Sequence, residues 1–156
     1  MSQNSLEQRL HYLESCEAIR NMVGRYATAA DQRNNPEILY SLFHPDAVWC
    51  AIGFGTFQGR QNILDALSRI AQSQILWSLH IMAQPDIEVC IEMKTARASW
   101  MLWEICHFAA QAQSTGQDEK RQQCLGGFYQ STLSQNEDGI WKFDRVELHL
   151  TLNQAF

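Results

Sequence analysis

The sequence predicts an α+β fold. About three helices in the first half of the chain cover a strongly curved, cone-shaped, mostly antiparallel sheet built from the second half. Three observations carry this. Apolar residues recur at helical spacing over residues 6–30 and again over 60–72. From residue 77 onward the spacing changes to strand alternation, interrupted by turn-forming clusters near 92–95 and 136–139. Helices gathered early and strands late fit layers of helix on sheet rather than alternating βαβ units. Such a sheet with helices across its open side encloses an apolar interior suited to a small hydrophobic ligand.

The elements follow in order. Ser5-Leu6-Glu7-Gln8 fits a capping box, with Ser5 as N-cap and Gln8 three residues on. Leu6, Leu10, Leu13, Ala18, Met22, Val23, Tyr26, Ala27 and Ala30 then keep a helical period, and the helix ends near Asp31–Asn34. Gly24 inside it signals close packing or a bend, at a cost of about 1 kcal/mol relative to Ala. Asn35 and Pro36 open a short second helix as cap and first residue, running to Phe43. His44-Pro45-Asp46 reads as a turn, because the residue before proline avoids the helical region. Residues 47–52 form a short buried strand, 53–59 a turn-rich connection, and 60–72 a third amphipathic helix.

The stretch 77–109 is the centre of the chain: two or three strands carrying His80 and His107 among apolar neighbours. Over 98–109 both alternating sets are apolar, Ala98, Trp100, Leu102, Glu104, Cys106 and Phe108 on one face, Ser99, Met101, Trp103, Ile105, His107 and Ala109 on the other. A strand apolar on both faces is expected to be covered on both, by helices and by a ligand pocket or a partner subunit. Residues 111–121 are polar and read as a hairpin loop. Strands follow over 122–134 and 140–150, joined by an Asp138-Gly139 turn.

Length and composition set the outer bounds. A chain of 156 residues with 46% hydrophobic and 19% charged residues is expected to form one globular domain over 1–156. The net charge of -5 and the lack of a basic cluster argue against a nucleic-acid partner. No apolar run approaches the ~18 residues of a membrane span, so no membrane partner is expected. The five cysteines are odd in number and lack paired spacing, which reads as reduced thiols in a cytoplasmic protein. Neither a metal-ligand motif nor a glycine-rich phosphate loop is present, so no metal or cofactor is expected.

The order and spacing of several short motifs point further. They are Tyr26-x4-Asp31, Phe43-His44-Pro45-Asp46-Ala47, Gly59-Arg60-Gln61-Asn62-Ile63, Leu79-His80-Ile81, Pro85-Asp86-Ile87-Glu88-Val89, Gly126-Gly127-Phe128-Tyr129, and Asp138-Gly139-Ile140-Trp141-Lys142-Phe143. Over about residues 12 to 150 the chain resembles the SnoaL-like branch of the nuclear transport factor 2-like superfamily. Within it the pattern is most similar to scytalone dehydratase and the bile-acid 7α-dehydratases. Tyr26, Asp31 and His80 match the Tyr-x4-Asp and strand histidine of the latter; Asp31, His80 and His107 match the aspartate and two histidines of the former. The chain departs from scytalone dehydratase at Ala30 and near Ala51, where that family carries tyrosines, and near Phe128 and Gln130, where it carries serine and asparagine.

The resemblance implies cofactor-free acid/base chemistry on a small hydrophobic alicyclic or aromatic molecule. An imidazole moves protons near neutral pH, and a carboxylate on one ring nitrogen fixes its tautomer and frees the other. Asp31–His107 is the preferred pair and Asp31–His80 its competitor, with Tyr26 donating a hydrogen bond to the leaving oxygen. Trp49, Met101, Trp103 and Tyr129 are expected to line the ligand pocket. Dehydration and isomerisation are both open. So are a polyketide cyclase using Asp31 itself and a non-catalytic binding or structural subunit. A homo-oligomer, dimer or trimer, is expected to cover the second sheet face.

Overall fold

The computed structural model describes residues 5–109 and 121–155. Helix α1 (Leu6–Asp31) is closed at its start by the expected reciprocal cap between Ser5 and Gln8. Its first turns stand clear of the body: Leu6, Leu10 and Leu13 are exposed, and the buried stripe begins only at Ser15 and Cys16, continuing through Ile19, Met22, Val23, Tyr26, Ala29 and Ala30. Gly24 does not mark close packing, because a Cβ added there would meet nothing within 4 Å. Helix α2 (Pro36–Leu42) starts on an Asn35 cap whose side chain accepts from the Glu37 and Ile38 amides. Helix α3 (Arg60–Ser73) buries Ile63, Leu64, Ala66, Leu67, Ile70 and Ala71.

The strands are β1 (Phe43–Ala51), β2 (Gly55–Gln58), β3 (Ile75–Met82), β4 (Asp86–Cys90), β5 (Thr95–Phe108), β6 (Arg121–Gln135) and β7 (Trp141–Ala155). They form one sheet in the order β2-β1-β7-β6-β5-β3. β4 pairs with the first part of β5 (95–99) and β3 with its later part (102–108), so one long strand serves both. All pairings are antiparallel except β1 with β7, so the architecture is α+β with a mostly antiparallel sheet. The helices pack on one face around a core that includes Ile19, Leu39, Leu42, Phe43, Ile63, Leu133, Phe143 and Val146, all essentially inaccessible to solvent.

Three local expectations change. His44-Pro45-Asp46 is not a turn but the start of β1. The pairing of β1 with β7 skips between Phe43 and Val48, and this break accommodates a proline that has no N–H to give a ladder. The connection 53–59 contains β2, set off by Gly53, Gly55 and Gly59 at φ 89°, 116° and 87°, a region open to glycine at little cost. The last strand runs to Ala155, five residues beyond the expected end at Leu150. The expected hairpin loop at 111–121 lies almost wholly outside the described residues. Cys16, Cys50, Cys106 and Cys124 are buried, Cys90 is exposed, and all five are free thiols.

The two faces of β5 are not equivalent. Ala96, Ala98, Trp100, Leu102, Glu104 and Cys106 point into the core, whereas Met101 and Trp103 are exposed on the outer face. On neighbouring β3, Trp77, Leu79 and Ile81 are also exposed, so among the described residues an apolar outer sheet face is left uncovered.

Candidate active site

The site begins at the end of α1. Past Asp31, Arg33 and Asn34 adopt left-handed conformations (φ 60° and 56°), uncommon for residues other than glycine. Their side chains tie this corner to α3: Arg33 Nη2 donates to the Ala71 carbonyl at 3.0 Å and Asn34 Nδ2 to the Leu67 carbonyl at 2.9 Å. Asp31, the last residue of the helix, is thereby held facing β3.

On β3 the even-numbered residues Ser78 and His80 point inward and the odd-numbered Trp77, Leu79 and Ile81 point outward, as strand geometry requires. Asp31 Oδ1 accepts two hydrogen bonds from His80, one from its backbone N–H at 2.9 Å and one at ring Nδ1 at 2.7 Å. Ring position and ring orientation are fixed by a single carboxylate oxygen. With Nδ1 donating, the neutral ring keeps its lone pair on Nε2. That nitrogen lies 3.4 Å from Glu104 Oε2. The register explains why: His80 and Glu104 are direct cross-strand partners on β3 and β5.

Glu104 is the one acidic residue on the inward face of β5 and is only 3% exposed. Its Oε1 is buried without a hydrogen-bond partner among the described residues. Burial pushes its carboxyl above the usual carboxylate range, and the neighbouring His80 offsets this in part. Sequence reasoning did not select Glu104. The available signal was its parity: it shares a strand face with Trp100 and Leu102, where a carboxylate has no packing reason to be.

Asp31, His80 and Glu104 open on a cavity of about 380 Å³, lined also by Tyr26, Trp49, Leu67, Ile70, Leu125, Tyr129 and Leu148. The Tyr26 hydroxyl accepts from Trp49 Nε1 at 2.8 Å, and burial pushes it up to about 12, so it stays a neutral donor. Tyr129 stands edge-on to Tyr26, and burial holds its hydroxyl protonated as well. Of the expected pocket residues, Trp49 and Tyr129 line this cavity. Met101 and Trp103 do not, because their parity on β5 turns them to the outer face.

His107 is the main correction. It lies three positions from Glu104, an odd step that turns it outward, and its ring packs against Trp77 with centroids 5.0 Å apart. The preferred Asp31–His107 pair is therefore not built; the carboxylate meets His80. Among the other histidines, His44 Nε2 lies 3.1 Å from Ser134 Oγ, and His149 stacks on Phe128. Among the described residues, no group of three His, Cys, Asp or Glu side chains is arranged to hold a metal ion.

Residues 11–147 match the family model described as a SnoaL-like domain. The chain belongs to this family. Solved structures of the same fold surround the SnoaL-like chain. One is the hexachlorocyclohexane dehydrochlorinase LinA-type3 from Novosphingobium barchaimii, with 18% identity, TM-score 0.81, and 95% of this chain and 94% of that one covered. Another is a provisionally assigned scytalone dehydratase from Novosphingobium aromaticivorans, with 24% identity, TM-score 0.73, and 93% and 89% covered. A third is a nuclear transport factor 2-like superfamily protein from Salmonella enterica, with 16% identity, TM-score 0.74, and 88% and 91% covered. At these identities the likeness is one of fold. No curated protein matches the SnoaL-like sequence.

Proposed function

We propose that this SnoaL-like domain is a cofactor-free acid/base lyase of dehydratase type, or an isomerase. Its substrate is a small hydrophobic alicyclic or aromatic molecule of polyketide, steroid or terpenoid character. The observation that carries this is the Asp31–His80 contact of 2.7 Å, opening on a cavity of about 380 Å³ with mostly apolar walls. In an elimination, His80 Nε2 removes a proton from carbon while Asp31 stabilises the imidazolium that forms. Tyr26, a neutral phenol on the cavity wall, donates a hydrogen bond to the substrate oxygen. In an isomerisation the same nitrogen returns the proton to a different carbon. The names of two structural relatives, a dehydrochlorinase and a scytalone dehydratase, lend support, since both denote loss of HX from adjacent carbons.

A binding module would need neither a carboxylate-held histidine nor a second carboxyl beside it, so this arrangement favours catalysis. The exposed outer face of Trp77, Leu79, Ile81, Met101 and Trp103 supports a homo-oligomer, dimer or trimer, that covers it. The reduced thiols fit the cytoplasm. No described helix is long and apolar enough to cross a membrane.

The test is turnover on a panel of cyclic β-hydroxyketones, followed by enone absorbance and by deuterium uptake from heavy water. His80→Gln and Asp31→Asn should each lower turnover by ~100-fold or more. His107→Ala should leave it within a few-fold. Full turnover in His80→Gln would refute the acid/base reading.

A further inference from the structure

We infer that Glu104 is the general acid of this site, donating the proton that the leaving hydroxyl requires while His80 takes the proton from carbon. This rests on the acid/base reading of the same cavity and adds a separate proton donor for the leaving hydroxyl, so that His80 need not serve in turn as base and acid. Glu104 is 97% buried by residue, lines the cavity and has no partner for Oε1 among the described residues. A structural carboxylate at such a depth spends both oxygens on donors. Here one oxygen faces His80 and the other has no partner among the described residues, while the residue itself lines the cavity.

The proton count follows from the contacts. Asp31 engages Nδ1–H, so the Nε2 lone pair faces Glu104 Oε2 at 3.4 Å. That separation is longer than a good hydrogen bond, so the ring and the carboxyl are adjacent without being locked together. Burial favours the protonated acid, which is the form able to donate. In the elimination, the C–H bond breaks and its proton passes to His80 Nε2. The electron pair left on carbon forms the new C=C bond. The C–O bond breaks, and its oxygen takes the Glu104 proton and leaves as water. The site is left as an imidazolium beside a carboxylate. The proton then crosses from Nε2 to Oε2, restoring neutral His80 and protonated Glu104 without a proton from solvent.

Leaving groups discriminate this role from a positioning one. A departing hydroxyl needs a proton, whereas a departing chloride does not. With a cyclic β-hydroxyketone and the matching β-chloroketone as probes, Glu104→Gln should lower hydroxyketone turnover by ~100-fold or more and leave chloroketone turnover within a few-fold. His80→Gln should lower both. Equal retention or equal loss of the two activities in Glu104→Gln overturns the assignment and leaves the His80 base standing. Unchanged activity in His80→Gln instead sinks the acid/base reading itself. Infrared spectroscopy of the free protein near neutral pH supplies an arm that needs no substrate. Wild type should show a protonated carboxylic acid stretch that vanishes in Glu104→Gln and moves in His80→Gln. Its absence from wild type would overturn the proposal.

Discussion

Replacing Glu104 by methionine should make the protein more stable while removing its proposed acid. Met matches Glu in length and lack of branching, so the inward face of β5 keeps its packing beside Leu102 and Cys106. What disappears is a buried carboxyl whose Oε1 is unpartnered among the described residues, a burden of about 1–3 kcal/mol. What is lost with it is the 3.4 Å approach to His80 Nε2, too long to count as a full hydrogen bond, on a ring that borders the cavity. The net expectation is a gain of about 1–2 kcal/mol, or several degrees in Tm at roughly 2–4 °C per kcal/mol for a chain of this size. The groups facing Glu104 are Asp31 and Tyr26 from α1, His80 from β3, Tyr129 from β6 and Cys106 on its own strand. Among them burial dominates and raises the carboxyl. The folded chain therefore holds this proton to higher pH than the unfolded chain. Between the ordinary glutamate value of about 4.3 and the raised one, the native state binds more protons, so wild-type stability falls as pH rises. Methionine carries no such proton, and the variant's advantage should widen through that window. Urea denaturation of both proteins at several pH values measures this. A variant less stable than wild type by more than about 1 kcal/mol, or an advantage that shrinks with rising pH, would refute the reasoning.

Three further outcomes follow from single positions. Gly127→Ala should destabilise by more than about 3 kcal/mol, since its Cβ would run into the His149 carbonyl of β7; a normal denaturation midpoint would show that the two strands separate there easily. Gly24→Ala, mid-helix with open space around it, should stabilise by about 0.5–1 kcal/mol, read as a raised urea midpoint at unchanged slope. Asp31→Ala should leave both the His80 amide and ring Nδ1 without their shared acceptor, costing about 2–4 kcal/mol; hydrogen exchange at the His80 amide should quicken by more than that at Leu79.

Most of the architecture was legible because period and punctuation agreed. The Ser5–Gln8 box, the Asn35-Pro36 start, the third helix and the Asp138-Gly139 turn all lie where local chemistry put them. What local chemistry could not supply was burial. Leu6, Leu10 and Leu13 keep the helical period, yet among the described residues they stay exposed. Pro45 forbids a ladder bond but not a strand, because a break in pairing is a tertiary matter. Tyr26, Asp31 and His80, singled out by their motifs, line one cavity, and so do Trp49 and Tyr129. His107 was preferred over His80 although its alternation with Glu104 already set the two on opposite faces. Which face was inward depended on where the helices lie, and that single unknown decided His107, Met101, Trp103 and Glu104 together.

The cross-strand seat of His80 opposite Glu104 has a consequence for how the chain finds its pairing. β3 ends the main strand path, and its odd-numbered residues, Trp77, Leu79 and Ile81, are as apolar as a core face. Hydrophobicity alone would tolerate a slip by one residue, which would bring Leu79 or Ile81 inward and turn His80 out. Such a slip would strand the Glu104 carboxyl in an apolar interior and take from Asp31 both of its His80 donors. The polar trio thus acts as a ratchet tooth on an edge strand. It lowers the stability of the correct alignment somewhat and that of each misaligned neighbour far more.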